Sequence, residues 1–125
     1  MYKILGMKQI IAWLPQIVLI AGIWTAVNGL LHTIAVLAGE HGKQYDRDLL
    51  RLLTDGLLLV LIGTVLILCF TGIRGNDGKT IYIALAAVSA ALIYCAMIWP
   101  FLKSVGTMLV HLITLIVIIL WILKK

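Results

Sequence analysis

Four apolar runs, each long enough to cross a bilayer, follow one another along this chain with almost nothing between them. A membrane-spanning helix needs about 20 mostly apolar residues. The hydrocarbon interior offers no partner to open backbone, so such runs fold as helices. Of the 125 residues, 63% are hydrophobic and 12% charged, where a soluble domain carries ~25% charged residues. The expected fold is therefore all-α: one integral membrane domain over residues 1–125, a four-helix bundle whose transmembrane helices run up, down, up, down. The net charge of +5 sits at helix ends. There it sets orientation and meets anionic headgroups, and it is no nucleic-acid footprint.

The first span is expected over about residues 9–38. At the helical rise it is ~45 Å long, against a hydrocarbon core of ~30 Å, so it must tilt, kink or protrude. Pro15 lies within its first two turns, where a kink is tolerated. Lys3 and Lys8 resemble the basic start of a signal peptide. The apolar run to Ala38 far exceeds a hydrophobic region of roughly 7–15 residues, however, so the segment reads as a retained signal anchor. Gly39-Glu40-His41-Gly42 stops the helix, with Gly39 as its expected C′ residue.

The second span is expected over about residues 46–70, with Asp46 or Asp48 serving its N-terminus. Gly56 and Gly63 are seven apart and share a face that lets another helix approach closely. The stretch from Thr71 to Lys79 is dense in turn residues, Asn76-Asp77-Gly78 above all. The third span is expected over about residues 80–99. Ala84, Ala87, Ser89, Ala90 and Ala91 make it the smallest-faced helix, and so a central one. The fourth is expected over about residues 100–123, with Pro100 in its first turn and almost no loop before it.

Orientation follows from the basic residues. One end of the bundle holds Lys3, Lys8, Arg74, Lys79, Lys124 and Lys125. The other holds Lys43, Arg47, Arg51 and Lys103, diluted by Glu40, Asp46 and Asp48. The positive-inside rule then puts both termini in the cytoplasm of a cell membrane. Trp13, Trp99 and Trp121 lie near span ends, as an aromatic belt requires, while Trp24 lies mid-span.

Polar residues recur within the spans at helical spacing. Trp24, Asn28 and His32 step by four on the first, and Arg51 and Asp55 do so on the second. Tyr94 lies late on the third, and Lys103, Thr107 and His111 step by four into the fourth. With both termini inside, all fall in the outer half of the bundle. Asp55 is the one carboxylate within an apolar run. A charge there costs several kcal/mol unless partnered. Arg51, Lys103, His32 and His111 are the expected partners, in a pocket open to the outer side. The bland reading stands beside it: an Asp55–Arg51 pair near the interface, a snorkelling Lys103, and histidines satisfied by neighbouring hydroxyls or carbonyls.

Three functions fit such a chain. The first is a pocket that binds or passes a small ligand or protons, since Asp55, His32 and His111 can exchange protons. The second is a cofactor site. Haem ligation by His32 and His111 is the one arrangement available, and a metal held by His32, Asp55 and His111 is permitted but unsupported, so no cofactor and no metal are expected. The third is a non-catalytic accessory or scaffold subunit, packing its Gly and Ala faces against itself or a larger membrane partner. Enzymatic signatures are missing: no Gly-x-Ser-x-Gly, no His-Glu-x-x-His, no phosphate-cradling Gly loop. Cys69 and Cys95 lack redox spacing and read as buried hydrophobes.

Gly29-Leu30-Leu31-His32, then Asp55-Gly56-Leu57 and Gly63, resemble small DoxX-like four-helix bacterial membrane proteins over the first half of the chain. The resemblance implies a four-helix bundle in a bacterial inner membrane and carries no single activity.

Overall fold

The computed structural model describes residues 2–125, with side chains from Gly6 onward, so Lys3 of the charge tally lies outside the described side chains. Five α-helices follow one another: α1 (Tyr2–Ala12), α2 (Leu14–Ala38), α3 (Arg47–Arg74), α4 (Gly78–Ile98) and α5 (Val105–Lys124), with a 3-10 turn at Glu40–Lys43. No strand occurs among the described residues. Helices α2 to α5 are each long and apolar enough to cross a membrane. Large apolar side chains cover the outside, with Leu57, Leu68 and Met97 67%, 70% and 71% exposed. In water such a surface would aggregate; in lipid it is the solvated surface. The chain is an all-α, multi-pass membrane protein.

The first span is not one helix. Pro15 has no N–H to give and its ring collides with the carbonyl four residues back. The helix therefore stops at Ala12, Trp13 closes a turn onto Ile10 (N···O 3.1 Å), and α2 restarts with Pro15 in its first turn. This break takes up the excess length expected of residues 9–38, and α1 lies against α5.

The α2/α3 hairpin is the tightest unit, and its glycines explain why. Gly22 and Gly29 on α2 oppose Gly63 and Gly56 on α3. A methyl at Gly22 would lie 2.8 Å from the Gly63 carbonyl oxygen, and one at Gly29 2.8 Å from that of Gly56. The two backbones touch along this line. The small residues of α4 do bury Ala84, Ala87 and Ala91, but Ala90 is exposed, and α4 is not the most closely packed helix.

The connections differ from expectation. Gly39 ends α2 in an extended conformation (φ −90°, ψ −170°) and not a left-handed one. Asp46 caps α3 by accepting from the Leu49 N–H at 2.8 Å. Helix α3 runs to Arg74, a turn beyond the expected residue 70, because Ile73 is buried and worth keeping in register. The α3/α4 turn is left to Gly75, Asn76 and Asp77; Asn76 takes φ +58°, which its short amide side chain tolerates. Asp77 caps α4, accepting from the Lys79 N–H (3.1 Å) and the Thr80 hydroxyl (2.7 Å). Pro100 closes α4 and does not open α5: the Phe101 and Leu102 N–H groups both return to the Ile98 carbonyl, and α5 begins only at Val105. Reversing the chain between antiparallel helices takes a few residues, so the fourth span cannot start at 100.

The apolar core occupies one half of the bundle, where Leu14 and Val18 meet Leu66, Ile73, Ile81, Val88 and Ile118. The other half buries Thr25, Thr107, His111 and Thr114. It is also stepped. Trp24 is bonded to Thr107, yet α2 continues about 21 Å past Trp24 while α5 has only about 3 Å left before Val105. The α2/α3 hairpin thus projects beyond the α4/α5 pair.

Candidate functional site

The polar residues that the sequence placed in one pocket divide between two sites. One is a cleft of about 1110 Å³ at the step, lined by α3, α4, the α4/α5 connection and the end of the α2/α3 hairpin. Its polar lining is His32, His41, Asp48, Arg51, Thr54, Asp55 and Tyr94. Its apolar lining includes Leu58, Ile93, Met97, Ile98 and Phe101. Asp48, Arg51, Asp55 and Leu58 follow one another at three- and four-residue steps, so one face of α3 supplies them all.

Each is held by local structure. His32 donates from Nε2 to the Leu52 carbonyl oxygen at 3.0 Å, a carbonyl whose second lone pair stays available to the helix ladder. This fixes the ring across the α2/α3 seam. Thr54 folds back onto the Leu50 carbonyl (2.8 Å) and so spends its own hydroxyl proton. Asp55 is half-buried, eight residues into α3 and about 12 Å below its start. The expected ion pair is not made. Among the described residues the one pair within 4.0 Å is Lys43–Glu40, at 2.8 Å, and it is a surface contact. Arg51 and Asp48 are exposed at the cleft mouth, and the opening lets solvent or a ligand reach Asp55 where the sequence argued for a protein cation.

The second site is a seam between α2 and α5, buried at Thr25, Thr107, His111 and Thr114 and open at Trp24. The Thr25 hydroxyl donates to the Ala21 carbonyl (2.7 Å) and lies 2.8 Å from His111 Nε2. One hydroxyl has one proton, so His111 Nε2 is the donor in that contact. His111 is 0% exposed, and its Nδ1 meets no partner among the described residues. Trp24 donates from its indole to the Thr107 hydroxyl at 3.2 Å and lies over Gly106, where a methyl would come 3.0 Å from the ring. Asn28 folds back onto the Trp24 carbonyl (2.7 Å), and Thr114 onto that of Val110 (2.8 Å).

His111, Thr107, Trp24 and Asn28 therefore do not line the cleft, and neither does Lys103, which is exposed in the α4/α5 connection. The reason is rotation. Gly22, Thr25 and Gly29 define the buried face of α2; Trp24 lies beside that face and reaches α5 at Thr107, and Asn28 is bonded back onto α2 itself. Helical spacing alone does not single out Thr25, His41, Asp48 or Thr54 as contributors. Thr25 could have been found from its place on the Gly22/Gly29 line; His41 and Asp48 depend on how the hairpin end folds. No three His, Cys, Asp or Glu side chains come together to hold a metal among the described residues, so His32, Asp55 and His111 do not form the site that was permitted. Cys69 and Cys95 are free and buried.

No family model, no curated protein and no solved structure matches the chain.

Proposed function

We infer that this is a binding protein of a bacterial inner membrane, with both termini in the cytoplasm, whose α3/α4 cleft takes up a small ligand from the outer side. The observation that carries the reading is the cleft itself. Asp48, Arg51 and Asp55 lie on its wall without an ion pair among the described residues, and an apolar floor continues below them. Asp55, half-buried and about 12 Å below the start of α3, is at a depth where a charge is costly and marks a functional site. The volume of about 1110 Å³ lies just above the usual small-molecule range of about 300–1,000 Å³. Orientation and membrane rest on the basic-residue count and on the resemblance of the first two spans.

The test fills the cleft. Native mass spectrometry of the full chain released from detergent is expected to show a retained amphiphile on the wild type and its loss in Leu58→Trp. Equal retention in the two proteins would place any bound molecule elsewhere.

A further inference from the structure

We propose that the cleft recognises a single-chain lipid whose head carries an ammonium, a phosphate and a hydroxyl group. This rests on the binding role inferred above and names the chemical class. From its N-terminal end inward, one face of α3 presents Asp48, Arg51, Asp55 and Leu58, an order of acid, base, acid and apolar. The rises are about 4.5 Å from Asp48 to Arg51, 6 Å from Arg51 to Asp55 and 4.5 Å from Asp55 to Leu58. No protein ion pair within 4.0 Å satisfies these charges among the described residues.

A ligand of one sign would answer one charge and oppose the next. A zwitterion with a two-carbon bridge between its charges answers both, ammonium to Asp48 and phosphate to Arg51. A charged oxygen acceptor at Asp55, with the Tyr94 phenol across the cleft, suits a glycerol hydroxyl that donates to the carboxylate. One acyl chain then runs along Leu58 and Ile93. The ligand lies in the direction a lipid already has in the membrane, head at the end of α3 and tail toward its middle, so entry needs no reorientation.

The experiment titrates the full chain in detergent with three probes of matched acyl chain, read by native mass spectrometry. They are lysophosphatidylethanolamine, lysophosphatidic acid, which lacks the ammonium, and monoacylglycerol, which lacks both charges. The expected result is a preference on the order of tenfold for the first over either other probe. Asp48→Asn is expected to erase the preference over lysophosphatidic acid, and Arg51→Gln to weaken both phosphate probes toward monoacylglycerol. Equal binding of all three, abolished together by Leu58→Trp or by Ile93→Trp on the opposite wall, would overturn the head-group assignment and leave the cleft as a lipid site. Binding of none beyond what those two variants retain would overturn both.

Discussion

His111 Nε2 lies 2.8 Å from the Thr25 hydroxyl oxygen, and the proton of that hydroxyl is already committed to the Ala21 carbonyl at 2.7 Å. The ring is thereby fixed as an Nε2–H donor between α2 and α5. Thr25→Val keeps the shape and removes the acceptor. We expect a loss of about 1 kcal/mol, since interhelical hydrogen bonds in membranes average about 0.6 and reach about 1.7 kcal/mol. Thermal melts in detergent of Thr25→Val, His111→Leu and the double variant measure it. Strictly additive losses would mean that the two side chains are not coupled.

Gly22 and Gly63 hold the backbones of α2 and α3 in contact. Gly22→Ala places its methyl against backbone, which cannot swing aside as a side chain would. Overpacking of this kind costs roughly 1–3 kcal/mol. Gly6→Ala is the control: nothing lies within 4 Å of its added methyl, and alanine favours the helix by up to about 1 kcal/mol. The two variants should move the melting temperature in opposite directions.

Trp24 joins the middle of α2 to the start of α5 through Thr107. Thr107→Val keeps the indole over Gly106 and loses only the hydrogen bond, for an expected cost of about 0.6 kcal/mol. Gly106→Val pushes the ring away and should cost more. If the order is reversed, the hydrogen bond and not the ring packing sets the position of α5.

Lys43 and Lys103 share one end of the bundle, and Lys79, Lys124 and Lys125 the other. An impermeant amine reagent added to intact cells should label peptides containing Lys43 and Lys103, and reach the second group only after lysis. The opposite pattern would invert the orientation.

Asp77 lies outside the membrane. Its bonds to the Thr80 hydroxyl and the Lys79 N–H hold its carboxyl below the usual carboxylate range. A folded-state pKa below the unfolded one means that the contribution is complete above the unfolded pKa and fades as pH falls through the lower folded value. Asp77→Ala should therefore melt below the wild type at neutral pH, and the gap should close as the medium is acidified past the carboxylate range.

The spans were legible because a period of apolar residues some 20 long has one solution in lipid. Gly56 and Gly63 were legible as a contact stripe; the matching Gly22 and Gly29 follow the same seven-residue spacing and complete it. The polar arrangement was only half legible. Steps of four put Arg51 and Asp55 on one face of α3, and both line the cleft, but spacing along a helix does not give its rotation in the bundle. Spacing alone therefore groups His111 and Lys103 with Asp55 and passes over Thr25. The Pro100 boundary failed for a similar reason: proline suits both the first turn of a helix and the turn after one, and only the reversal of the chain decides between them.

The unequal lengths of the two helix pairs bear on the lipid around them. Helix α3 has 28 residues and α4 has 21, which is about 42 Å against 31 Å of rise. A leaflet thick enough to cover the taller hairpin overreaches the shorter pair. It must thin on that flank or leave apolar α3 surface wet, and mismatch of this kind is relieved by local deformation. On the binding role inferred above, the dip beside α4 brings the headgroups of the surrounding leaflet down toward the cleft mouth at Asp48 and Arg51, and the protein itself shapes the supply of molecules standing at that door.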